Sequence, residues 1–182
     1  MKHLIRMSLA ALVVLGAVHL SAEPAAPGYV DFGKFSPSAS GGEFVEVRLN
    51  NNLISMVARI AEREEPEVGK LLRGLKAIRV NVMGLSEGES SAVQKRVQKI
   101  TGALDEKGWD RIVSVREKND RIAVFVKTRG DEAVEGLFVS ILEGNSEAVL
   151  VNIVGDIRPE QLAMVGERLN IEPLKKVAKA LN

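Results

Sequence analysis

The fold is decided by the stretch from Trp109 to Gly155, which reads WDRIVSVREKNDRIAVFVKTRGDEAVEGLFVSILEGNSEAVLVNIVG. Within it, apolar and polar residues alternate in runs that are separated by turn-forming residues such as Gly144-Asn145. A two-residue period is typical of half-buried strands, and short turns join successive strands into hairpins. We therefore predict an antiparallel meander with strands over 109–117, 121–127, 134–143 and 147–155.

The residues before this meander predict two more strands and several helices. A strand is expected over 44–49, a helix over about 52–62, a short helix from Pro66 and a second strand over 78–82. The predicted class is therefore α+β, with a mostly antiparallel sheet of about six strands and helices packed on it. The chain order is strand, helices, strand, helix, four-strand meander, helices.

A long helix is predicted between the second strand and the meander. Ser86 and Glu89 have the spacing of a capping box, and Gly108 is a stop signal. Its apolar face contains Val93, Val97, Ile100 and Leu104. We expect this helix to cover the sheet face that carries Val80, Val113 and Val124. Further helices are predicted from Pro159 and from Pro173.

Two-residue turns in the meander would place Val115 opposite Val124 and Val139 opposite Leu150. A second apolar sheet face then results, and its residues are Phe125, Phe138, Val149, Val151 and Ile153. Two interpretations remain open. The C-terminal helices or the aromatic segment near Tyr29 cover this face, or it forms a groove for a lipid, a peptide or a protein partner.

The first 22 residues are predicted to be a signal peptide. Lys2 and Arg6 precede an apolar run from Met7 to Leu20, and Ser21-Ala22 is a plausible cleavage site. We expect an exported protein, with the periplasm as its compartment and no membrane span after cleavage. The chain has no cysteine, so a lipid anchor at the signal junction is excluded.

Residues 23–42 are rich in Pro, Ala, Ser and Gly and are predicted to form a flexible tether. One segment within it, over 29–35, contains the aromatic residues Tyr29, Phe32 and Phe35. Aromatic side chains seldom stay in solvent, so this segment is expected to dock on the main body. A single α+β domain is predicted over 43–182.

Composition narrows the possible chemistry. Both histidines, His3 and His19, lie in the predicted signal peptide, and there is no cysteine. The mature chain would thus lack imidazole and thiolate, which excludes Ser-His-Asp and Cys-His mechanisms and the metal sites built on those groups. We predict no catalytic residues, no metal and no cofactor. A hydrolase that uses carboxylates alone is the remaining enzyme alternative.

The charges indicate little affinity for polyanions. The chain has 25 basic and 24 acidic residues, and loss of Lys2 and Arg6 leaves a mature charge of about −1. Nucleic acid is therefore not an expected partner. The carboxylates clustered around Pro66 are expected to be a solvated helix junction.

Four stretches together resemble a known family. They are Tyr29-Val30-Asp31-Phe32-Gly33, Val45-Glu46-Val47-Arg48-Leu49, Ile78-Arg79-Val80 and Val149-Leu150-Val151-Asn152-Ile153-Val154-Gly155-Asp156-Ile157. In these residues the chain resembles the bacterial envelope family catalogued as domain of unknown function 4252. The resemblance covers about Tyr29 to Ile157 and implies an exported α+β domain without assigned activity or catalytic residues. It also suggests a role in envelope sensing.

These observations together predict a non-catalytic envelope domain that acts as a protein-interaction or sensing module. Its expected partner is an envelope protein. The alternative is a periplasmic carrier or binder of a small apolar ligand, with the second sheet face as its wall.

Overall fold

The computed structural model describes residues 26–38, 41–158 and 161, and within them it confirms the predicted α+β class. The elements in chain order are β1 (Phe44–Asn50), α1 (Asn51–Glu64), α2 (Pro66–Gly74), β2 (Leu75–Gly84), α3 (Glu87–Glu106), β3 (Asp110–Glu117), β4 (Asp120–Arg129), β5 (Ala133–Glu143) and β6 (Glu147–Ile157). The strands form one antiparallel sheet in the order β1-β2-β6-β5-β4-β3. The predicted signal peptide over 1–22 and, apart from Gln161, the predicted helices from Pro159 and Pro173 lie outside the described residues.

Local sequence signals set the helix starts. The side chain of Asn50 accepts a hydrogen bond from the Leu53 amide at 3.0 Å and caps α1. Pro66 occupies the first turn of α2, where its missing N–H is not needed. At the start of α3, the Glu89 carboxylate accepts a hydrogen bond from the Ser86 amide at 3.2 Å, which is the predicted capping box.

The sheet has helices on both faces, and each face has its own core. We call the face that carries α1 and α2 face A. Its buried side chains are Ile54, Leu71, Leu75, Val124, Val126, Val134, Leu137, Val139, Val151, Ile153 and Ile157. We call the opposite face, which carries α3 and the chain near residue 30, face B. Its buried side chains are Val30, Phe32, Met83, Val97, Leu104, Trp109, Phe125, Phe138, Leu142, Ala148 and Leu150.

The predicted register between β3 and β4 was wrong by two residues. Val115 pairs with Ile122, and Val113 pairs with Val124. The turn consists of Lys118 and Asn119 instead of the expected Asn119 and Asp120, and Lys118 has φ of 48°. Glu117 therefore pairs with Asp120. Successive side chains of a strand alternate between the two sheet faces, so a shift of two residues leaves each side chain on its predicted face.

The predicted register between β5 and β6 was wrong by one residue, and this reverses β6. Val139 pairs with Val151 instead of Leu150. Glu143 pairs with Glu147, so the loop has the odd length of three residues and includes Gly144 at φ 53°. Because side chains alternate along a strand, every β6 residue lies on the face opposite to the predicted one.

The predicted position of α3 was also wrong. Its apolar side chains, such as Val97 and Leu104, pack with Phe125 on face B. They do not pack with Val124, which lies in the face A core. The helices α1 and α2 already cover part of face A, so α3 covers the face that they leave free.

Candidate functional site

The five residues predicted to form one partner or ligand surface do not share a face. Phe125 and Phe138 are fully buried in the face B core. Val149, Val151 and Ile153 belong to face A, because β6 is shifted by one residue. The predicted surface is therefore corrected to two separate apolar regions, and their surroundings differ.

On face B, the segment near residue 30 covers Phe138. Phe32 is 1% exposed, and its ring centroid lies 6.1 Å from that of Phe138. Phe125 lies next to Phe138, at a centroid distance of 6.4 Å. Three tilted aromatic rings thus join the segment to the sheet. Tilted ring pairs stabilise a fold in addition to the burial of their apolar surface. We call residues 26–35 the N-terminal segment.

A buried asparagine in the centre of the sheet holds the backbone of this segment. The Asn152 side chain is 0% exposed. It donates hydrogen bonds to the carbonyls of Gly28, at 3.0 Å, and Leu137, at 3.1 Å. It also accepts a hydrogen bond from the Val30 amide at 3.0 Å. The segment is therefore joined to the sheet by specific polar contacts as well as by apolar packing.

A buried arginine, which pairs with Asn152 in the β2–β6 register, holds the same segment. Arg79 donates hydrogen bonds to the Tyr29 hydroxyl at 2.8 Å and to the Val30 carbonyl at 3.3 Å. Its guanidinium lies 4.3 Å from the centroid of the Phe32 ring, which is within the range of a cation–π interaction. We call the side chains of Asn152 and Arg79 together the clamp.

The two outer aromatic residues of the segment are more accessible. Tyr29 is 38% exposed although its hydroxyl contacts Arg79. Phe35 is half-buried, and the guanidinium of Arg96 from α3 lies 4.1 Å from its ring centroid. The structure therefore places Tyr29, Phe32 and Phe35 against β2, β5 and α3.

Two glycines allow the segment to approach β5 this closely. A Cβ on Gly136 would lie 2.5 Å from the Cα of Gly28 and 2.6 Å from the Trp109 ring. Any side chain larger than hydrogen would therefore separate the segment from the sheet.

The same segment forms one wall of a groove of about 610 Å³. The opposite wall is the C-terminal half of α3. Its lining includes Asp31, Phe32, Arg96, Lys99, Ile100, Ala103, Leu104, Lys107, Trp109 and Lys127. Apolar side chains form the floor and basic side chains the rim, so the groove suits a ligand that is partly apolar and partly anionic.

On face A, one row of apolar side chains crosses the whole sheet. Successive cross-strand pairs join Val45, Val82, Val149, Ile141, Ile122 and Val115. Val45 is 39% exposed, and the other members are half-buried. In the adjacent row, by contrast, Val139 and Val124 are fully buried. We call the six partly accessible residues the apolar row.

The helix α1 carries a second accessible apolar surface. Its inner side chains are Ile54 and Ala58, both 1% exposed. Four outer side chains, Leu53, Met56, Val57 and Ile60, are 45%, 58%, 49% and 66% exposed. We call them the α1 stripe. They lie about half a turn around α1 from Glu62, which contacts α2, and so they face away from α2.

Two of the clustered carboxylates around Pro66 lie in ion pairs. Glu62 pairs with Arg73, and the guanidinium holds the pKa of the Glu62 carboxyl below its ordinary value. Glu67 accepts a hydrogen bond from Lys70 at 2.8 Å. Among the described residues, no three potential metal ligands converge. In the same part of the chain, no helix combines the length and the hydropathy needed to cross a bilayer.

Sequence reasoning missed the clamp. No role was predicted for Arg79 or for Asn152. A signal was present, because Asn152 interrupts an apolar run from Val149 to Val154. A polar side chain inside such a run must find partners when it is buried.

The family model described as Domain of unknown function (DUF4252) matches residues 40–165, which is about two thirds of the chain. No curated protein and no solved structure matches the chain.

Proposed function

The chain belongs to the DUF4252 family, and we propose that it is an exported, non-catalytic envelope domain that acts as a protein-interaction module. The proposed compartment is the periplasm. The basic start and apolar run of residues 1–22 support export. The lack of cysteine, and of histidine beyond His19, supports a role that does not depend on catalysis.

The observation that carries this proposal is the accessible apolar surface on the side of face A. It comprises the apolar row and the α1 stripe, and accessible apolar surfaces of this kind often mark interaction sites. The apolar row crosses five strand spacings, or about 24 Å at about 4.8 Å per strand. An α-helix of about 16 residues has the same length. The proposed partner is an envelope protein that contributes an amphipathic helix.

The composition of the α1 stripe fits this kind of partner. Met56 is flexible and polarisable, and exposed methionines adapt to different apolar surfaces. Leu53, Val57 and Ile60 recur at helical spacing, so a partner helix could pack along α1. Residues 159–182 of the chain itself are the competing occupant, because Ile157 at the end of β6 belongs to the face A core.

Site-specific photo-crosslinking in the native bacterium tests the proposal. A photoreactive residue replaces Val57 in one full-length variant and Arg59, which is exposed outside the stripe, in a control variant. We expect the Val57 variant to crosslink to an amphipathic helix of another envelope protein and the Arg59 variant not to do so. A synthetic peptide of that helix should bind the purified protein, and Val57→Asp should weaken this binding.

Two results would overturn the proposal. A crosslink from position 57 to residues 159–182 would show that the chain covers its own surface. Equal crosslinking from positions 57 and 59 would show that the α1 stripe has no special role in partner binding.

The second candidate function is the binding of a small apolar ligand. The groove between α3 and the N-terminal segment favours it, because its volume of about 610 Å³ is within the range of ligand sites. This candidate uses face B, so it is independent of the protein-interaction surface.

A further inference from the structure

We propose that the groove on face B binds a fatty acid, with its acyl chain on the apolar floor and its carboxylate at the basic rim. This inference deepens the second candidate function and rests on it. It does not depend on the interaction surface of face A.

The floor of the groove is apolar and preformed. Leu104 is 4% exposed, Trp109 is 6% exposed and Phe32 is 1% exposed, so these side chains are fixed by packing on face B. Leu104, Trp109 and Phe32 thus form a rigid base, and the half-buried Ile100 and Ala103 supply the accessible apolar surface along α3. A ligand chain that lies there would remove apolar surface from water without reorganising the core.

The rim is formed by basic residues on one side of α3. Arg96, Lys99 and Lys107 share this side with the small residue Ala103, because helical positions three and four apart are neighbours. Arg96 donates a hydrogen bond to the Lys34 carbonyl at 2.9 Å. The side chains of Lys99 and Lys107 are exposed and form no ion pair with another described residue.

Opposite charge is scarce along the lining. Lys127 is the fourth cation, and its ammonium donates hydrogen bonds to the carbonyls of Lys107 and Gly108, both at 2.9 Å. Asp31 is the one carboxylate among the lining residues, and it accepts a hydrogen bond from the Gly33 amide at 2.8 Å. Asp31 also lies 3.9 Å from the guanidinium of Arg79.

The charges of the lining favour an anionic ligand. Four cations and one carboxylate line the groove, so an anionic head group is favoured over a neutral or cationic one. The apolar floor requires an aliphatic chain next to that head group. A fatty acid combines both features in one molecule.

Trp109 provides an internal probe, because it is the single tryptophan of the chain and it lines the groove. The full-length protein is titrated with laurate and, separately, with dodecyltrimethylammonium, a cation of equal chain length. Both remain below their critical micelle concentrations. We expect a saturable change of Trp109 emission with laurate and binding at least about tenfold weaker with the cation.

Matched variants separate specific from general charge effects. Lys99→Gln with Lys107→Gln should weaken laurate binding about five- to tenfold, since two exposed ion contacts are lost. Lys76→Gln with Lys95→Gln removes the same charge at exposed positions outside the lining and should leave binding unchanged. Ala103→Phe fills the groove and should abolish the saturable signal.

A second readout distinguishes binding in the groove from binding elsewhere. Because the N-terminal segment forms one wall, laurate should slow proteolysis within residues 26–35. Equal laurate affinity of the two double variants, equal affinity for the cation, or an unchanged signal in Ala103→Phe would each overturn the inference. Crosslinking from position 57 is independent of laurate, so a failure here is distinguishable from a failure of the protein-interaction proposal.

Discussion

Replacement of Asn152 by alanine should release the N-terminal segment without unfolding the sheet. The Asn152 side chain makes three hydrogen bonds, and two of them, to Gly28 and Val30, reach the segment. Alanine leaves the partner groups buried without a hydrogen bond. Detachment returns the Gly28 and Val30 backbone groups to water, so the variant can relieve most of this cost by opening locally.

The size of the effect follows from these contacts. Each lost hydrogen bond costs about 1 kcal/mol or more when its partner stays buried. The two bonds that reach the segment therefore shift the docking equilibrium by about 2 kcal/mol, which raises the open population about thirtyfold. The third bond, to the Leu137 carbonyl, is lost whether the segment is docked or detached. The stability lost through the segment contacts cannot exceed the free energy of docking, because a segment that is already detached has no further contacts to lose.

Amide hydrogen exchange and limited proteolysis measure this opening. Protection of the Val30 amide should fall about thirtyfold or more in Asn152→Ala, and chymotrypsin should cut at Phe32 far sooner. The exposed residue Asn51 supplies the control, since Asn51→Ala should leave both measurements unchanged. Unchanged protection of Val30 in Asn152→Ala, or a loss of protection shared by all strands at once, would refute the reasoning.

Three further substitutions test other parts of the structure. The side-chain amide of Asn81 is buried opposite Glu46 of β1 and makes no hydrogen bond of ordinary geometry with a described residue, so Asn81→Leu should raise the free energy of unfolding by about 1 kcal/mol in denaturant titration. Asn81 contributes to the lowered pKa of the Glu46 carboxyl, and a loss of stability in Asn81→Leu would show that this contact outweighs the cost of the buried amide. Val97→Asp should lower that free energy by several kcal/mol because Val97 is 4% exposed, whereas Lys99→Asp should change it by under about 0.5 kcal/mol; equal effects would contradict the assigned face of α3. Glu62→Gln should lower the melting temperature at neutral pH, because Arg73 lowers the pKa of the folded-state carboxyl below 4.5, and this difference should vanish as pH falls through that lowered pKa; a difference that persists at low pH would contradict the ion-pair explanation.

The order and type of the elements follow from the sequence, because local interactions specify them. The capping box at Ser86 and Glu89, the proline that begins α2 and the alternation in β4 and β5 all act within a few residues. Gly108 follows α3 with φ of 69°, which is the left-handed conformation that helix ends favour. Short-range signals of this kind are visible without tertiary contacts.

The candidate sites depend on choices that no local pattern contains. The length of the three-residue loop at Gly144 decides which sheet face each β6 side chain occupies. It places Asn152 on face B and Val149 on face A. The sequence could not distinguish a two-residue from a three-residue loop, since both begin with similar turn residues.

Sequence alone thus determined the α+β class, the strand and helix order and the aromatic content of the N-terminal segment. The tertiary structure decided which face each helix covers, how Asn152 and Arg79 clamp the segment, and which apolar residues remain accessible. The physical reason is that helix and strand periodicity arise from contacts between near neighbours. Register and face assignment arise from pairing between residues far apart in the chain, such as Val30 and Asn152.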